Sequence, residues 1–317
     1  MTLKLVPQMP PASRPKIPAG RLFAATALVM CAFAANSILN RAALSDDLIS
    51  AGAFAMLRVV AGATMLLLLL SRRRTPDHQE PDDLEPDDLE PDSWSPDFWA
   101  IVGLSAYMVG FSFAYTRMDA GIGALILFGG VQLTMFSGAI QRGEHIASRR
   151  WTGAIISLSG LGLLLWPSSS TTGMPDLSLS AFFLMSFAAL GWGIYSLIGQ
   201  RADDPLRATA QNFTYAVPVI IAACLILGDA FQITGKGAVL AIISGAGTSA
   251  LGYAAWYAIL PMLGSTRAAL VQLSVPVIAM AFGALLLGEA ITGKSILAAS
   301  LVLGGILIGM AASKSRR

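Results

Sequence analysis

Uncharged apolar blocks recur along this chain, parted by short polar stretches. They occupy 22–40, 48–70, 98–116, 120–141, 151–166, 177–199, 208–228, 237–259, 268–288 and 295–313. As helix, about twenty residues span a ~30 Å hydrocarbon core, and most of the blocks reach that length. Only helices and closed barrels satisfy their own backbone groups in such a medium, and barrel strands alternate every second residue, which these blocks do not. The pattern predicts an all-α integral membrane protein with ten transmembrane helices; the block at 151–166 is the short one.

Composition supports that reading chiefly through what is missing. The chain has 317 residues, 55% hydrophobic, and only 13% carry charge, against about a quarter in a soluble domain. The two cysteines, Cys31 and Cys224, both fall inside predicted spans, where small buried hydrophobes are the expected role. Basic residues, an apolar run and an Ala-Phe-Ala triplet near the N-terminus imitate a signal peptide. Apolar character continues through Ile38, and the charge balance needs this span, so an uncleaved first helix is expected.

Lysine and arginine set the orientation. With the N-terminus inside and ten crossings, sixteen basic residues fall on the cytoplasmic side. Four, Arg41, Arg117, Lys236 and Lys294, fall outside, and Arg58 lies within a span. Both termini are therefore expected in the cytoplasm; the location expected for this multi-pass protein is a bacterial inner membrane.

The stretch 138–160 is written again, more loosely, at 283–305. At an offset of 145, Gly138-Ala139 meets Gly283-Ala284 and Gly143-Glu144 meets Gly288-Glu289, while Ala154, Leu158 and Gly160 meet Ala299, Leu303 and Gly305. An offset of 144 carries the likeness back to 103–118 against 247–262. Each half would hold five spans. Five is odd, so the second half enters from the opposite side and the repeat is inverted. Inverted repeats suit a protein that exposes one midplane site to either side in turn. The expected organisation is a cytoplasmic tail at 1–20, a first five-helix repeat at 21–166, a second at 176–313, and a tail at 314–317.

Between the second and third spans, 75–97 holds ten acidic residues and no basic one, with Glu-Pro-Asp written three times. Such a composition buries too little apolar surface to fold, and a solvated cytoplasmic spacer is expected.

The run "GSTRAALVQLSVPVIAMAFGALLLGEAITGKSILAASLVLGGILIG" resembles the EamA-type permeases of the drug/metabolite transporter superfamily. "NSILNR", Arg58, "WGIYSLIGQR" and "ALGYAAWYAIL" are similar too. One departure is plain: the first half has Val131 where the second has Pro276. The resemblance implies a ten-helix fold and movement of small metabolites, often amino acids, through a central cavity. It implies a pathway lined by helices 1–4 and 6–9 and braced by 5 and 10. No Walker-type phosphate loop is present.

Arg58 is the sharpest individual signal. A charge in mid-span costs at least ~2.5 kcal/mol and usually faces a cavity or a partner. Two readings stand: an anchor for a substrate carboxylate or phosphate, or a structural pair with helix-end carbonyls, Asp119 or Glu289. Asn36 and Asn212 lie deep in their spans as candidate cavity residues. Gln132, Gln272 and Asn40 invite helix-to-helix hydrogen bonding. Trp192, Tyr195 and Tyr253 sit well inside their spans and suit a wall around an amphipathic solute. Trp256 is a further candidate, although with Tyr257 it stands near a span end, where an interfacial belt competes. Glu144 and Glu289 follow glycines between helices and read as structural carboxylates at helix starts. Pro218 and Pro276 offer bend points.

The function expected is secondary transport of a small zwitterionic or anionic metabolite by alternating access, as export; a channel or non-transporting sensor is the alternative. An intramembrane enzyme is disfavoured, since both histidines, His78 and His145, lie outside the spans. No cofactor, metal or nucleic acid is expected; the partners are the lipid bilayer and the solute, for a monomer or homodimer.

Overall fold

The computed structural model describes residues 18–44, 47–73, 97–117, 120–165, 179–287 and 293–311. Among them the regular elements are helices, joined by one isolated antiparallel bridge, Ile49 to Ile233. In chain order they are α1 (Ala19–Leu44), α2 (Ala51–Arg72), α3 (Phe98–Ala114), α4 (Ala120–Gln141), α5 (Ser148–Leu165), α6 (Leu179–Gly199) and α7 (Pro205–Ile226). The continuous run Gly235–Leu263 is α8, α9 is two pieces, Ser265–Gln272 and Ser274–Leu287, and α10 is Gly293–Met310. The acidic spacer at 75–97 and Glu289 fall outside the described residues, apart from Asp97, whose side chain caps α3.

Six of these runs are long and apolar enough to cross a membrane: α1, α2, α6, α7, α8 and the run Ser265–Leu286. Phe98–Ala114, Ile126–Gln141 and Ile296–Met310 are shorter apolar helices. The outer surface is studded with large apolar side chains, among them Phe23, Ile226, Leu285 and Leu307. Water would drive such a surface to aggregate; lipid solvates it. The protein is a multi-pass, all-helical membrane protein.

Two helices depart from regular α geometry. The middle of α8, Ser244–Leu251, is π-helical. The run at 268–288, expected as one span with a bend point at Pro276, breaks at Leu273. The cause is Pro276, which has no N–H for the carbonyl of Gln272 and whose ring crowds it. In α4, Val131 stands at the corresponding position and the helix runs unbroken. Pro218 lies on an exposed face of α7, which also runs unbroken.

Packing follows a simple rule. α5 pairs with α10 and α2 with α7; α3 rests on α6 as α8 rests on α1; α4 meets α6 as α9 meets α1. Moving every label by five turns each partnership into itself or into another on this set. The α5–α10 contact is built from small residues. A Cβ on Gly160 would stand 2.8 Å from the Ala298 carbonyl oxygen, and one on Gly305 would stand 2.5 Å from that of Gly153. Between these points the Ser157 hydroxyl donates to the Val302 carbonyl at 3.0 Å. Small residues permit this approach where lipid gives no hydrophobic drive for helix association.

The α2–α7 pair is tied at both ends. At one, Asp229 Oδ2 accepts from the Ser50 hydroxyl at 2.6 Å and from the Ala53 amide at 2.9 Å, taking up an orphan donor of the first turn of α2. Beside it the chain segments zip together, the Ser50 amide donating to the Gln232 carbonyl and the Thr234 amide to that of Leu48, both at 2.9 Å. At the other end, Arg73 pairs with Asp204 at 2.5 Å, and Asp204 also caps α7. Near that end, Arg142 donates to Glu144 and Gln200, each at 3.2 Å, and to Ser265.

Candidate functional site

Polar side chains from α1, α2, α3 and α8 meet at one point inside an otherwise apolar core. Arg58 of α2 is completely buried. Its Nε donates to Ser249 Oγ at 2.8 Å, and its Nη2 donates to the hydroxyls of Tyr253 at 2.5 Å and Tyr107 at 3.3 Å. Nη1 is buried without a hydrogen-bond partner. Among the described residues no carboxylate pairs with Arg58, so its charge is met by hydroxyl dipoles and by the rings of Tyr107 and Phe111, whose centroids lie 5.4 and 5.7 Å from Cζ.

The backbone explains how α8 reaches this arginine. A Cβ on Gly245 would collide with the Arg58 carbonyl, so a residue without a side chain is required where α8 crosses α2. That crossing falls in the π-helical segment, which also supplies Ser249; π turns are frequent at functional sites. From α1, Asn36 completes the cluster. Its Oδ1 accepts from Ser244 at 2.5 Å and Thr248 at 3.2 Å, and its Nδ2 faces the Tyr107 hydroxyl at 3.5 Å.

Aromatic rings pack around this junction. Trp192 stands 4.7 Å from Tyr253, 4.9 Å from Tyr107 and 5.2 Å from Phe33 between ring centroids. Tyr195 stacks on Trp192 at 5.5 Å. A cleft of about 10 Å³ lies among Phe33, Ser37, Tyr107, Phe111, Trp192 and Tyr253, room for about one water molecule.

Of the residues singled out in the sequence, Asn36, Arg58, Trp192, Tyr195 and Tyr253 are thus brought together. Trp256 adjoins them through Phe33, and its Nε1 donates to Ser196 at 3.1 Å. Trp256 and Tyr257 are both fully buried, so neither belongs to an interfacial belt. Asn212 lies one layer away; its Nδ2 faces the Tyr257 hydroxyl at 3.5 Å. Gln272 accepts from Trp192 Nε1 at 2.5 Å, whereas the amides of Gln132 and Asn40 are buried without partners. Glu144 is exposed and accepts from Arg142 and Ser265 side chains, both at 3.2 Å. Pro276 is buried just beyond the break in α9, and Pro218 is remote from the cluster's hydrogen bonds.

Tyr107, Ser249, Ser244 and Thr248 are the participants the sequence reading passed over. Tyr107 sits as deep in its span as Tyr195 and Tyr253 sit in theirs, so the same depth criterion identifies it. Ser249 carries no comparable signal, since serines recur throughout these helices.

Comparison with known proteins agrees with this architecture. The EamA-like transporter family matches residues 20–166 and 179–310, one stretch in each half. An uncharacterised protein of Pseudomonas aeruginosa is 39% identical over 295 residues, covering 93% of this chain and 96% of its own. A probable amino-acid metabolite efflux pump of Salmonella typhimurium is 28% identical over 213 residues, covering 63% of this chain and 70% of its own. The pump of the same description in Escherichia coli is 26% identical over 225 residues, 66% of this chain and 74% of its own. A crystal structure matches with a TM-score of 0.68 at 18% identity, covering 91% of this chain and 96% of that one, a likeness of fold alone. With family matches over both halves and an all-helical membrane fold behind them, the chain belongs to the EamA-like transporter family and is a membrane transporter.

Proposed function

We propose that this protein is a secondary carrier that exports a small zwitterionic or anionic metabolite across the inner membrane by alternating access. It crosses the bilayer ten times as two mutually inverted five-helix halves, with both termini in the cytoplasm.

The observation that carries the solute class is Arg58: a fully buried guanidinium with no carboxylate partner among the described residues and with Nη1 unpaired. Leaving a buried charged donor unmatched costs more than an ordinary hydrogen bond contributes. An anionic group on the solute repays that cost only while it is bound, which makes it a basis for recognition. The aromatic surroundings suit an apolar portion of the same solute.

The α5–α10 contact supports inversion. Gly160 sits against Ala298 and Gly305 against Gly153, so one helix advances as the other recedes, while residues 145 apart exchange places. That is the relation expected of antiparallel equivalents about an axis in the membrane plane. Relatives named as efflux pumps support export.

The test is flux in proteoliposomes with radiolabelled amino acids. A carrier saturates and shows counterflow; unsaturable flux without counterflow would replace this reading with a channel. Arg58→Ala should abolish uptake while the protein still purifies as a folded species. Normal flux through that variant would remove Arg58 from the site.

A further inference from the structure

We infer that the Tyr107 hydroxyl is an internal stand-in for one carboxylate oxygen of the transported solute, displaced when the solute binds. The inference rests on the reading of Arg58 as an anion anchor and narrows the solute to carboxylates.

Three donors converge on the Tyr107 oxygen: Asn36 Nδ2 at 3.5 Å, Arg58 Nη2 at 3.3 Å and the Tyr253 hydroxyl at 3.2 Å. The amide end of Asn36 is committed to this direction because its carbonyl end accepts from Ser244 and Thr248. All three contacts lie at or beyond the long limit of ordinary hydrogen bonds, and a phenol oxygen is a weak acceptor for them. The junction is thus shaped for an oxygen that is more negative than a phenol.

Arg58 adds an independent observation. A guanidinium presents a fork that matches two oxygens side by side. Here the two tyrosine hydroxyls both meet Nη2, and Nη1 is buried with nothing. One hydroxyl replaces one oxygen; a carboxylate would engage both nitrogens. Beyond Tyr107 and Tyr253 the cleft is walled mostly by apolar side chains, Phe33, Phe111, Leu127, Phe128 and Trp192, with the Ser37 hydroxyl as the one further polar group, so the group attached to the carboxylate is expected to be largely apolar. A carboxamide, with no charge and a donor where an acceptor is needed, would be refused.

Binding of the apolar L-amino acids valine, leucine, methionine and phenylalanine to the purified full chain, each beside its carboxamide, tests this. The amino acids are expected to raise the unfolding midpoint of the unsubstituted protein and the carboxamides to leave it unchanged. Tyr107→Phe removes the stand-in. It should unfold at a lower temperature without solute and bind the amino acid about tenfold more tightly, since the solute no longer competes with an internal acceptor. If Tyr107→Phe is recovered only with the amino acid present throughout purification, the inference is equally supported, because the solute then supplies the missing acceptor. Unchanged or weaker binding by Tyr107→Phe overturns it, as does equal binding of carboxamides or silence of every amino acid in both proteins. Arg58→Gln separates the two levels. If that variant binds as the unsubstituted protein does, the anion anchor itself falls. If it loses binding while Tyr107→Phe fails to gain, only the stand-in falls.

Discussion

Ser157 donates to the carbonyl of Val302 at 3.0 Å, and these two residues stand 145 positions apart, the interval at which the sequence repeats. Two positions matched by that interval thus touch each other. The flanking contacts exchange accordingly, Gly160 with Ala298 on one side and Gly305 with Gly153 on the other. The contacts of the α5–α10 seam therefore exchange at an offset of 145, and small residues line it from both helices.

That exchange makes a symmetric prediction. Gly160→Val and Gly305→Val both force a side chain into backbone across the seam. Each should destabilise by about 1–3 kcal/mol through overpacking, and by similar amounts. Gly304→Val, whose Cβ meets nothing within 4 Å, should be close to neutral. Unfolding midpoints in detergent decide the matter, and indifference to either seam substitution would count against the close approach described.

The α2–α7 pair gives the second prediction. It is fastened at one end by Asp229 on Ser50 and at the other by Arg73 on Asp204. A carrier that opens alternately must release one end at a time. A disulfide between Ser50→Cys and Asp229→Cys should arrest flux, and so should one between Arg73→Cys and Asp204→Cys, with reduction restoring both. Undiminished flux through both oxidised proteins would mean that α2 and α7 do not part during transport.

A third prediction concerns placement in the bilayer. In a Cys31→Ser, Cys224→Ser background, an impermeant thiol reagent applied from outside should label Gly173→Cys and spare Gln79→Cys. Labelling the other way round would reverse the orientation derived from lysine and arginine. Deleting residues 76–91 should leave flux unchanged, and its loss would give the acidic spacer a role in transport.

Much of the fold was legible because a lipid environment leaves few choices. Uninterrupted apolar runs located the helices to within a few residues; the fourth coincides with α4 at 120–141. The break at Leu273 was legible only as a proline three residues downstream. The site was legible where a residue was costly in its place: Arg58, Asn36 and the deep aromatics all met near one point. Ser249 was not, because a lone serine in a membrane helix has no distinguishing cost. The π segment at Ser244–Leu251 was not legible either, since a run of Gly, Ala, Ser and Thr fits an α turn equally well. Glu144 looked like a helix-start carboxylate but accepts from Arg142 and Ser265, because side chains of neighbouring elements reach it.

Arg58, held in the core without a countercharge among the described residues, has a bioenergetic consequence. A fixed positive centre in a low-dielectric interior repels sodium, potassium and hydronium, so it discourages their leakage through any water that enters the pathway. Water could then wet the interior around Arg58 without giving these cations an easy passage.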